Sequence, residues 1–257
     1  MEKNLSHTLL LVDDNEDILE FLSDDLGDRY HILTALNGKK ALNILDSESV
    51  DLVVSDIMMP EMDGFELCAA IKSGLEYSHV PVILLTAKNT LQSKIEGLEL
   101  GADAYVEKPF SPEFLAVQIL NLLKNRDKVK AYFSSAAPPQ SRGLAPTRSD
   151  DLFLEKLRQV INANISNPDL DVDHLADSLH MSRPTFYRKV KAISDLSPNE
   201  LINLARLRKA VELLNGGVLK IYEIAEMVGY SSQTQFGRNF QKQFGMSPTD
   251  YLKNPAG

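Results

Sequence analysis

The sequence predicts an α/β domain followed by an all-α domain, and three observations carry that prediction. Short apolar runs alternate with amphipathic stretches over roughly the first 125 residues, whereas residues 150–257 keep a helical period and repeat themselves internally. Charge divides in the same place. Residues 1–130 hold 12 Lys and Arg against 23 Asp and Glu, a net of −11, and residues 131–257 hold 15 against 13, a net of +2, within a whole-chain net of −9. A split of that kind assigns the two parts different partners.

Strands are read near 8–13, 30–35, 51–56, 81–86 and 104–106. Asn15 caps a helix that turns Ile18, Leu19 and Leu22 inward, and Asn37 precedes a second with Ala41, Leu42, Ile44 and Leu45. Cys68 sits beside Ala69 and Ala70 on a further helix and reads as a small buried hydrophobe; as the one cysteine of the chain it excludes an intrachain disulfide. Thr90 opens a helix of Leu91, Ile95, Leu98 and Leu100, with Gly101 just past its end. Ser111-Pro112 is a cap followed by a first-turn proline, opening the helix of Phe114, Leu115, Val117, Ile119, Leu120 and Leu123. Five βα units predict a doubly wound, five-stranded parallel sheet covered on both faces. Residues 133–149 hold three prolines and no periodicity, which reads as a flexible linker. The domain boundaries are therefore 1–130, 131–149 and 150–257.

After a helix of Leu152, Phe153, Leu157, Val160 and Ile161, the second domain repeats itself. Ser182, Phe186, Arg188, Ser197 and Pro198 recur 50 residues later as Ser232, Phe236, Arg238, Ser247 and Pro248. Upstream the offset is 49, with Val172, Leu175, Ala176 and Leu179 recurring as Ile221, Ile224, Ala225 and Val228, so one residue is added at the turn, where Gly229 stands. Each unit is a short helix, a tight turn, a Ser cap and a second helix, which is the helix-turn-helix pattern. Residues 178–194 contain Arg183, Arg188, Lys189 and Lys191 and no acid, and residues 227–249 contain Arg238 and Lys242 and no acid. With Phe186, Val190, Phe236 and Phe240 buried, the opposite faces present Arg183, Pro184, Tyr187, Arg188 and Lys191, and Gln233, Thr234, Gly237, Arg238 and Gln241. Arg and Gln can read base edges, and Arg and Lys hold phosphates.

In the first domain every informative polar residue stands at a strand end. Asp13 and Asp14 follow the first run, Asp56 ends the third, Thr86 ends the fourth, and Lys108 follows the fifth. Parallel strands share one carboxyl edge, where ligands of open α/β sheets bind. Three carboxylates, a hydroxyl and an ammonium converging there form a kit for a divalent cation and a phosphoryl group. Asp56 is a carboxylate nucleophile, the carboxylates suit Mg²⁺, and Lys108 and Thr86 can hold phosphoryl oxygens. No apolar stretch is long enough to span a membrane, and Met1-Glu2-Lys3-Asn4 is not the start of a signal peptide, so a cytoplasmic protein without membrane contact is expected.

Residues 5–126 resemble the receiver domain of two-component response regulators. The resemblance rests on Leu-Val-Asp-Asp-Asn-Glu-Asp, Val-Ser-Asp-Ile-Met-Met-Pro-Glu-Met-Asp-Gly-Phe-Glu, Val-Ile-Leu-Leu-Thr-Ala-Lys and Gly-Ala-Asp-Ala-Tyr-Val-Glu-Lys-Pro-Phe. It implies a flavodoxin-like fold with Asp56 as phosphoacceptor. It implies Mg²⁺ held by Asp14, Asp56 and the Met58 carbonyl, with Asp13 assisting through water. Thr86 and Tyr105 are then the switch pair, Lys108 contacts the phosphoryl group, and Lys108-Pro109 is expected to be cis. Residues 150–254 resemble the AraC-type DNA-binding domain, on Ile-Ala-Glu-Met-Val-Gly-Tyr and Gln-Phe-Gly-Arg-Asn-Phe-Gln-Lys-Gln-Phe-Gly-Met-Ser-Pro-Thr-Asp-Tyr. That implies seven helices, with a long one near Pro198–Leu214 separating two motifs that enter successive major-groove segments.

The expected contacts are Arg183, Tyr187, Arg188, Lys191, Gln233, Thr234 and Arg238, with Arg188 and Arg238 foremost and Arg238 able to clamp a phosphate. Pro184 removes one donor from the first recognition helix, and Gly237 offers no side chain to the second.

Together these readings give a response regulator whose Asp56, phosphorylated by a sensor histidine kinase, controls sequence-specific promoter binding and transcription. A homodimer forms on phosphorylation through the face near residues 91–120, and RNA polymerase is a further partner. No catalysis is expected beyond self-phosphorylation and self-dephosphorylation. An aspartyl-phosphate phosphatase or mutase needs a second carboxylate where Met58 stands. The remaining alternatives are the C-terminal segment of a hybrid sensor kinase and a phosphate-sink or adaptor receiver.

Overall fold

Five short strands organise the first part of the chain: β1 (Thr8–Val12), β2 (His31–Ala35), β3 (Leu52–Asp56), β4 (Val82–Thr86) and β5 (Ala104–Glu107). A computed structural model of the chain describes residues 7–87, 100–134 and 148–253. All neighbouring strands pair in parallel, in the order β2-β1-β3-β4-β5. β1, β3 and β4 read as near-continuous apolar runs because both faces are covered, whereas β2 at the edge is partly exposed. Leu9, Leu11, Val54, Ile83 and Leu85 pack on one face with Leu19, Leu22, Leu115 and Ile119. Leu10, Val12, Val53, Val82 and Leu84 pack on the other with Ala41, Leu45, Leu67, Cys68 and Ile71. Cys68 is fully buried, and burial pushes its thiol up to about 11, so it is an inert core residue.

Helices α1 (Glu16–Leu26), α2 (Gly38–Ser47), α3 (Gly64–Ser73) and α4 (Pro112–Ser134) surround the sheet. Asn15 and Asn37 cap α1 and α2 as expected, accepting from the N–H of Asp17 and of Lys40. Asp63 and Glu66 form a reciprocal capping box at α3. The Ser111 hydroxyl accepts the Phe114 N–H ahead of α4, with Pro112 as its first residue. The helix expected over Thr90–Leu100 lies largely outside the described residues, and Gly101 after it has φ +89°. Helix α4 runs past the expected boundary at 130 to Ser134, because Ala131-Tyr132-Phe133-Ser134 contains neither Pro nor Gly to stop it. The proposed linker 131–149 thus overlaps α4 at one end and α5 at the other, and 135–147 lie outside the described residues.

The chain divides near residue 152 into two compact units. Seven helices are described from Arg148 onward: α5 (Arg148–Ala163), α6 (Val172–Ser178), α7 (Arg183–Ser194), α8 (Pro198–Asn215), α9 (Ile221–Met227), α10 (Gln233–Phe244) and α11 (Pro248–Lys253). The pairs α6–α7 and α9–α10 are the two helix-turn-helix motifs. Their turns share one hydrogen-bond pattern: the Met181 N–H reaches the Ala176 carbonyl, and the Tyr230 N–H reaches the Ala225 carbonyl. His180 (φ +56°) and Gly229 (φ +78°) occupy the same position. The added residue therefore lies in the turn as expected, at Ser231, between Tyr230 and the Ser232 cap. Gly229 answers a different need, since a Cβ there would stand 2.5 Å from the Ile165 carbonyl oxygen.

Ala176 and Ala225 are both 1% exposed, as a close helix crossing requires. Beneath α10, Phe236, Phe240 and Tyr251 pack edge-on or tilted, with ring centroids 5.7 and 5.8 Å apart. Among the described residues no helix is long and apolar enough to cross a membrane.

Candidate functional site

The sheet changes winding direction between β1 and β3, and this opens a crevice at their carboxyl ends. Asp13 leaves β1 and Asp56 closes β3 on either side of it, and both are buried, at 3% and 7% exposure. Lys108 follows β5 and bridges them, its Nζ 2.6 Å from Asp56 Oδ1 and 2.9 Å from Asp13 Oδ2. The second oxygen of each carboxylate takes a backbone donor: the Asn15 N–H gives to Asp13 Oδ1 at 2.9 Å, and the Met58 N–H to Asp56 Oδ2 at 2.8 Å. Burial pulls the Lys108 pKa down, but the hydrogen bonds and charges of Asp56 and Asp13 outweigh it. The ammonium is held above the ordinary lysine value.

The crevice needs close backbone approach as well as charge. A Cβ on Gly64, the first residue of α3, would stand 2.2 Å from the Asp56 carbonyl oxygen, so only glycine lets α3 start directly against the end of β3. Glu61, in the connecting loop with φ +66°, accepts from Asn37 Nδ2 at 3.0 Å and ties this loop to the one after β2. Neither Gly64 nor Glu61 is singled out by sequence reasoning. The Gly within Met-Asp-Gly-Phe, just before an amphipathic stretch, was the available signal.

Thr86 is buried at the end of β4, and its carbonyl accepts the Lys108 N–H at 2.7 Å. In the β4–β5 register Tyr105 lies opposite Leu84 and Glu107 opposite Thr86, so Thr86 and Tyr105 are diagonal neighbours on one face. The Lys108-Pro109 bond is cis. Asp14 stays exposed, and the Met58 side chain is 65% exposed. Of the three expected carboxylates, Asp13 and Asp56 form a buried pair joined by Lys108, and Asp14 is exposed. Among the described residues no group of three His, Cys, Asp or Glu gathers closely enough to hold a metal ion.

The second candidate surface lies on α7 and α10. Phe186, Val190, Phe236 and Phe240 face inward as expected. Tyr187 and Lys191 are exposed on α7 and Arg188 is half-buried, its guanidinium 3.4 Å from the Thr185 hydroxyl. Arg183 is exposed but paired with Asp173 Oδ2 at 2.9 Å, and the Lys191 ammonium reaches the Asp195 carbonyl at 2.5 Å. Gln233, Thr234 and Arg238 are exposed on α10. Lys189, part of the basic window in the sequence, is instead fully buried, with Nζ 5.1 Å from the centre of the Phe153 ring. Its position beside Phe186 and Val190 on the helix wheel was the signal for burial.

Comparison with known proteins finds two family models: "Response regulator receiver domain" over residues 9–120 and "Helix-turn-helix domain" over residues 175–254. "Histidine kinase P4" of Formosa agariphila is 38% identical over 244 residues, covering 95% of this chain and 18% of that protein. "Probable transcriptional regulator ycf27" of Cyanidium caldarium is 38% identical over 161 residues, covering 62% of this chain and 61% of that one. "Probable transcriptional regulator ycf29" of Pyropia yezoensis is 30% identical over 211 residues, covering 77% of this chain and 95% of that one. Among solved structures, "BeF3 Activated DrrB Receiver Domain" matches 46% of this chain and 97% of its own, at 37% identity and a TM-score of 0.43. The chain spans less than two thirds of the length of the first two curated relatives.

Proposed function

The chain belongs to the response regulators, with a receiver domain joined to an AraC-type helix-turn-helix domain, and on that premise we propose that a phosphoryl group on Asp56 controls promoter binding by α7 and α10. The observation that carries this reading is the buried Asp13–Lys108–Asp56 bridge in a chain that also holds two helix-turn-helix motifs.

Chemically, an Asp56 carboxylate oxygen attacks the phosphorus of a phosphohistidine on a sensor kinase. The N–P bond breaks, the imidazole leaves and takes up a proton, and Asp56 becomes an acyl phosphate. Lys108 exchanges its contact with the Asp56 carboxylate for a phosphoryl oxygen, and the Thr86 hydroxyl binds another. Asp13 and Asp56 offer only oxygen donors and share a single lysine, which suits a hard divalent cation such as Mg²⁺. The resemblance to receiver domains assigns that cation to Asp13, Asp14, Asp56 and the Met58 carbonyl, and when bound it would offset charge on the transferring phosphoryl oxygens.

Movement of Thr86 toward the phosphoryl group frees space for Tyr105 on the same face, and the α4 surface of Phe114, Val117 and Leu120, all exposed, pairs with a second copy. Two tethered DNA-binding domains then bind more tightly than one. The chain turns over no product beyond gaining and losing its own phosphoryl group.

The test uses genomic fragments selected by the phosphorylated chain. Acetyl phosphate with Mg²⁺ should raise wild-type affinity for them in gel shifts, and Asp56→Asn should neither take up label nor respond. Equal affinity of Asp56→Asn and phosphorylated wild type would sink the reading. A second reading places the same sequence inside a longer hybrid sensor, supported by the alignment of 95% of the chain to 18% of the Formosa agariphila kinase. An antibody against residues of the second domain decides it: a native polypeptide near 28.6 kDa favours the first reading, and a far larger one the second.

A further inference from the structure

Four polar side chains from three segments form a directional chain of hydrogen bonds in the second motif. The Tyr230 hydroxyl, on a side chain only 8% exposed, donates to Asn203 Oδ1. Asn239 Nδ2 donates to the same oxygen at 2.9 Å and to the Tyr230 oxygen at 3.4 Å. The Asn239 nitrogen therefore faces Asn203, and its oxygen faces the other way, where it accepts from Gln235 Nε2 at 2.9 Å. Each link leaves the next amide one orientation. The last member, Gln235, is exposed on the first turn of α10 and borders an open polar cavity of about 310 Å³.

The placement of Gln235 departs from the caps that carry Glu at the same position. Ser232 followed three residues later by Gln235 has the spacing of a capping box, in which the third residue reaches back to the cap N–H. Glu200 and Glu223 do so at α8 and α9, at 2.8 and 2.7 Å. Gln235 turns forward to Asn239 instead. The repeat-equivalent residues of the first motif are Thr185 and Lys189, which cannot build the same chain.

We propose that Gln235 reads a base edge in the major groove as a fixed hydrogen-bond acceptor, and that Asn239, Asn203 and Tyr230 are the positioning residues that fix it. This rests on the reading that α10 enters the major groove, where the first residues of a recognition helix contact bases. A free glutamine amide rotates and serves as donor or acceptor. One of the two Nε2 hydrogens is committed to Asn239, so the amide cannot flip and Oε1 is held on the opposite side as an acceptor. In the major groove adenine and cytosine present an amino donor, whereas guanine and thymine present carbonyl oxygens at the corresponding edge. A fixed acceptor selects adenine or cytosine at one position of the contacted strand.

The experiment selects bound sequences from a random DNA pool with the full, phosphorylated chain. Wild type should favour A or C over G or T at one position by about fivefold, the value of a single hydrogen bond. Gln235→Ala and Asn239→Ala should flatten that position while the rest of the selected sequence and the salt dependence stay the same. Gln235→Glu in the Asn239→Ala background should restore the preference, because a carboxylate only accepts and needs no positioning. Tyr230→Phe, which deletes one oxygen, should weaken the preference partway, and it decides the question if thermal unfolding shows Asn239→Ala to be misfolded. A preference unchanged in Gln235→Ala overturns the proposal, as does one lost in Gln235→Ala but intact in Asn239→Ala and Tyr230→Phe. Failure of the DNA-binding reading looks different: wild type selects no sequence at all, and Arg188→Ala and Arg238→Ala change nothing.

Discussion

The receiver site and the recognition helices both work by charge, but they are built in opposite ways. At the sheet edge Asp13 and Asp56 are almost wholly buried and share one lysine, so each charge depends on its neighbours. On α7 and α10 the cations are spread out, Arg183 at 64% side-chain exposure and Lys191 at 51%, each with a private carboxylate. Buried charges interact through a weakly screening medium and are costly when unpaired, whereas exposed ones are screened by water and salt and contribute little to folding. The first arrangement makes a site whose state changes when one charge is added. The second leaves cations available to a polyanion without stabilising the fold.

The difference is sharpest at Lys108. Removing one member of a fully buried ion pair costs about 3–5 kcal/mol, and Lys108 retains some exposure, so Lys108→Ala should destabilise the receiver by about 2–3 kcal/mol in chemical denaturation. Added Mg²⁺ should recover much of that loss and raise the variant's midpoint more than it raises wild type's. A midpoint unmoved by the substitution would show that Asp13 and Asp56 do not need the ammonium.

Arg188→Ala and Arg238→Ala should behave in the contrary manner. Exposed Arg238→Ala should leave the unfolding free energy within about 0.5 kcal/mol of wild type, and half-buried Arg188→Ala, which loses its bond to Thr185, within about 1 kcal/mol. Each should weaken promoter binding about tenfold, and a variant that loses a phosphate contact should lower the salt slope by about one. A folding defect as large as that of Lys108→Ala would mean that these arginines are structural.

The same contrast explains what could be read from the sequence. Asp13, Asp56, Thr86 and Lys108 were visible because strand ends punctuate a linear pattern and a parallel sheet gathers such ends at one edge. That Lys108 lies between the two carboxylates while Asp14 stays exposed depends on loop geometry, which leaves no periodic trace. The helix-turn-helix pairs were visible as a repeat, but the position of the added residue was not, since only the equivalent bonds of Met181 and Tyr230 assign it to Ser231. Lys189 misleads in composition, because its charge counts as surface while its helical position is core. In the chain from Tyr230 to Gln235 only the i,i+4 pair Gln235–Asn239 has a helical spacing, and its links to Asn203 and Tyr230 leave no periodic trace.

Arg183 tests how far an exposed cation is already spoken for. Its guanidinium lies 2.9 Å from Asp173 Oδ2, and both side chains are more than half exposed. Such a pair contributes at most about 1 kcal/mol, so Arg183→Ala should alter the unfolding midpoint far less than Lys108→Ala. Its effect on DNA should also be smaller than that of Arg188→Ala, because Arg183 must leave Asp173 before it can hold a phosphate. Asp173→Ala separates the two roles. It removes the competing carboxylate and one negative charge near α7, and should tighten non-specific DNA binding about twofold to threefold at low salt, with the gain fading as salt rises. Tighter binding that persists at high salt would mean that Asp173 acts by shaping the turn before α7, through its place on α6, and not by occupying Arg183.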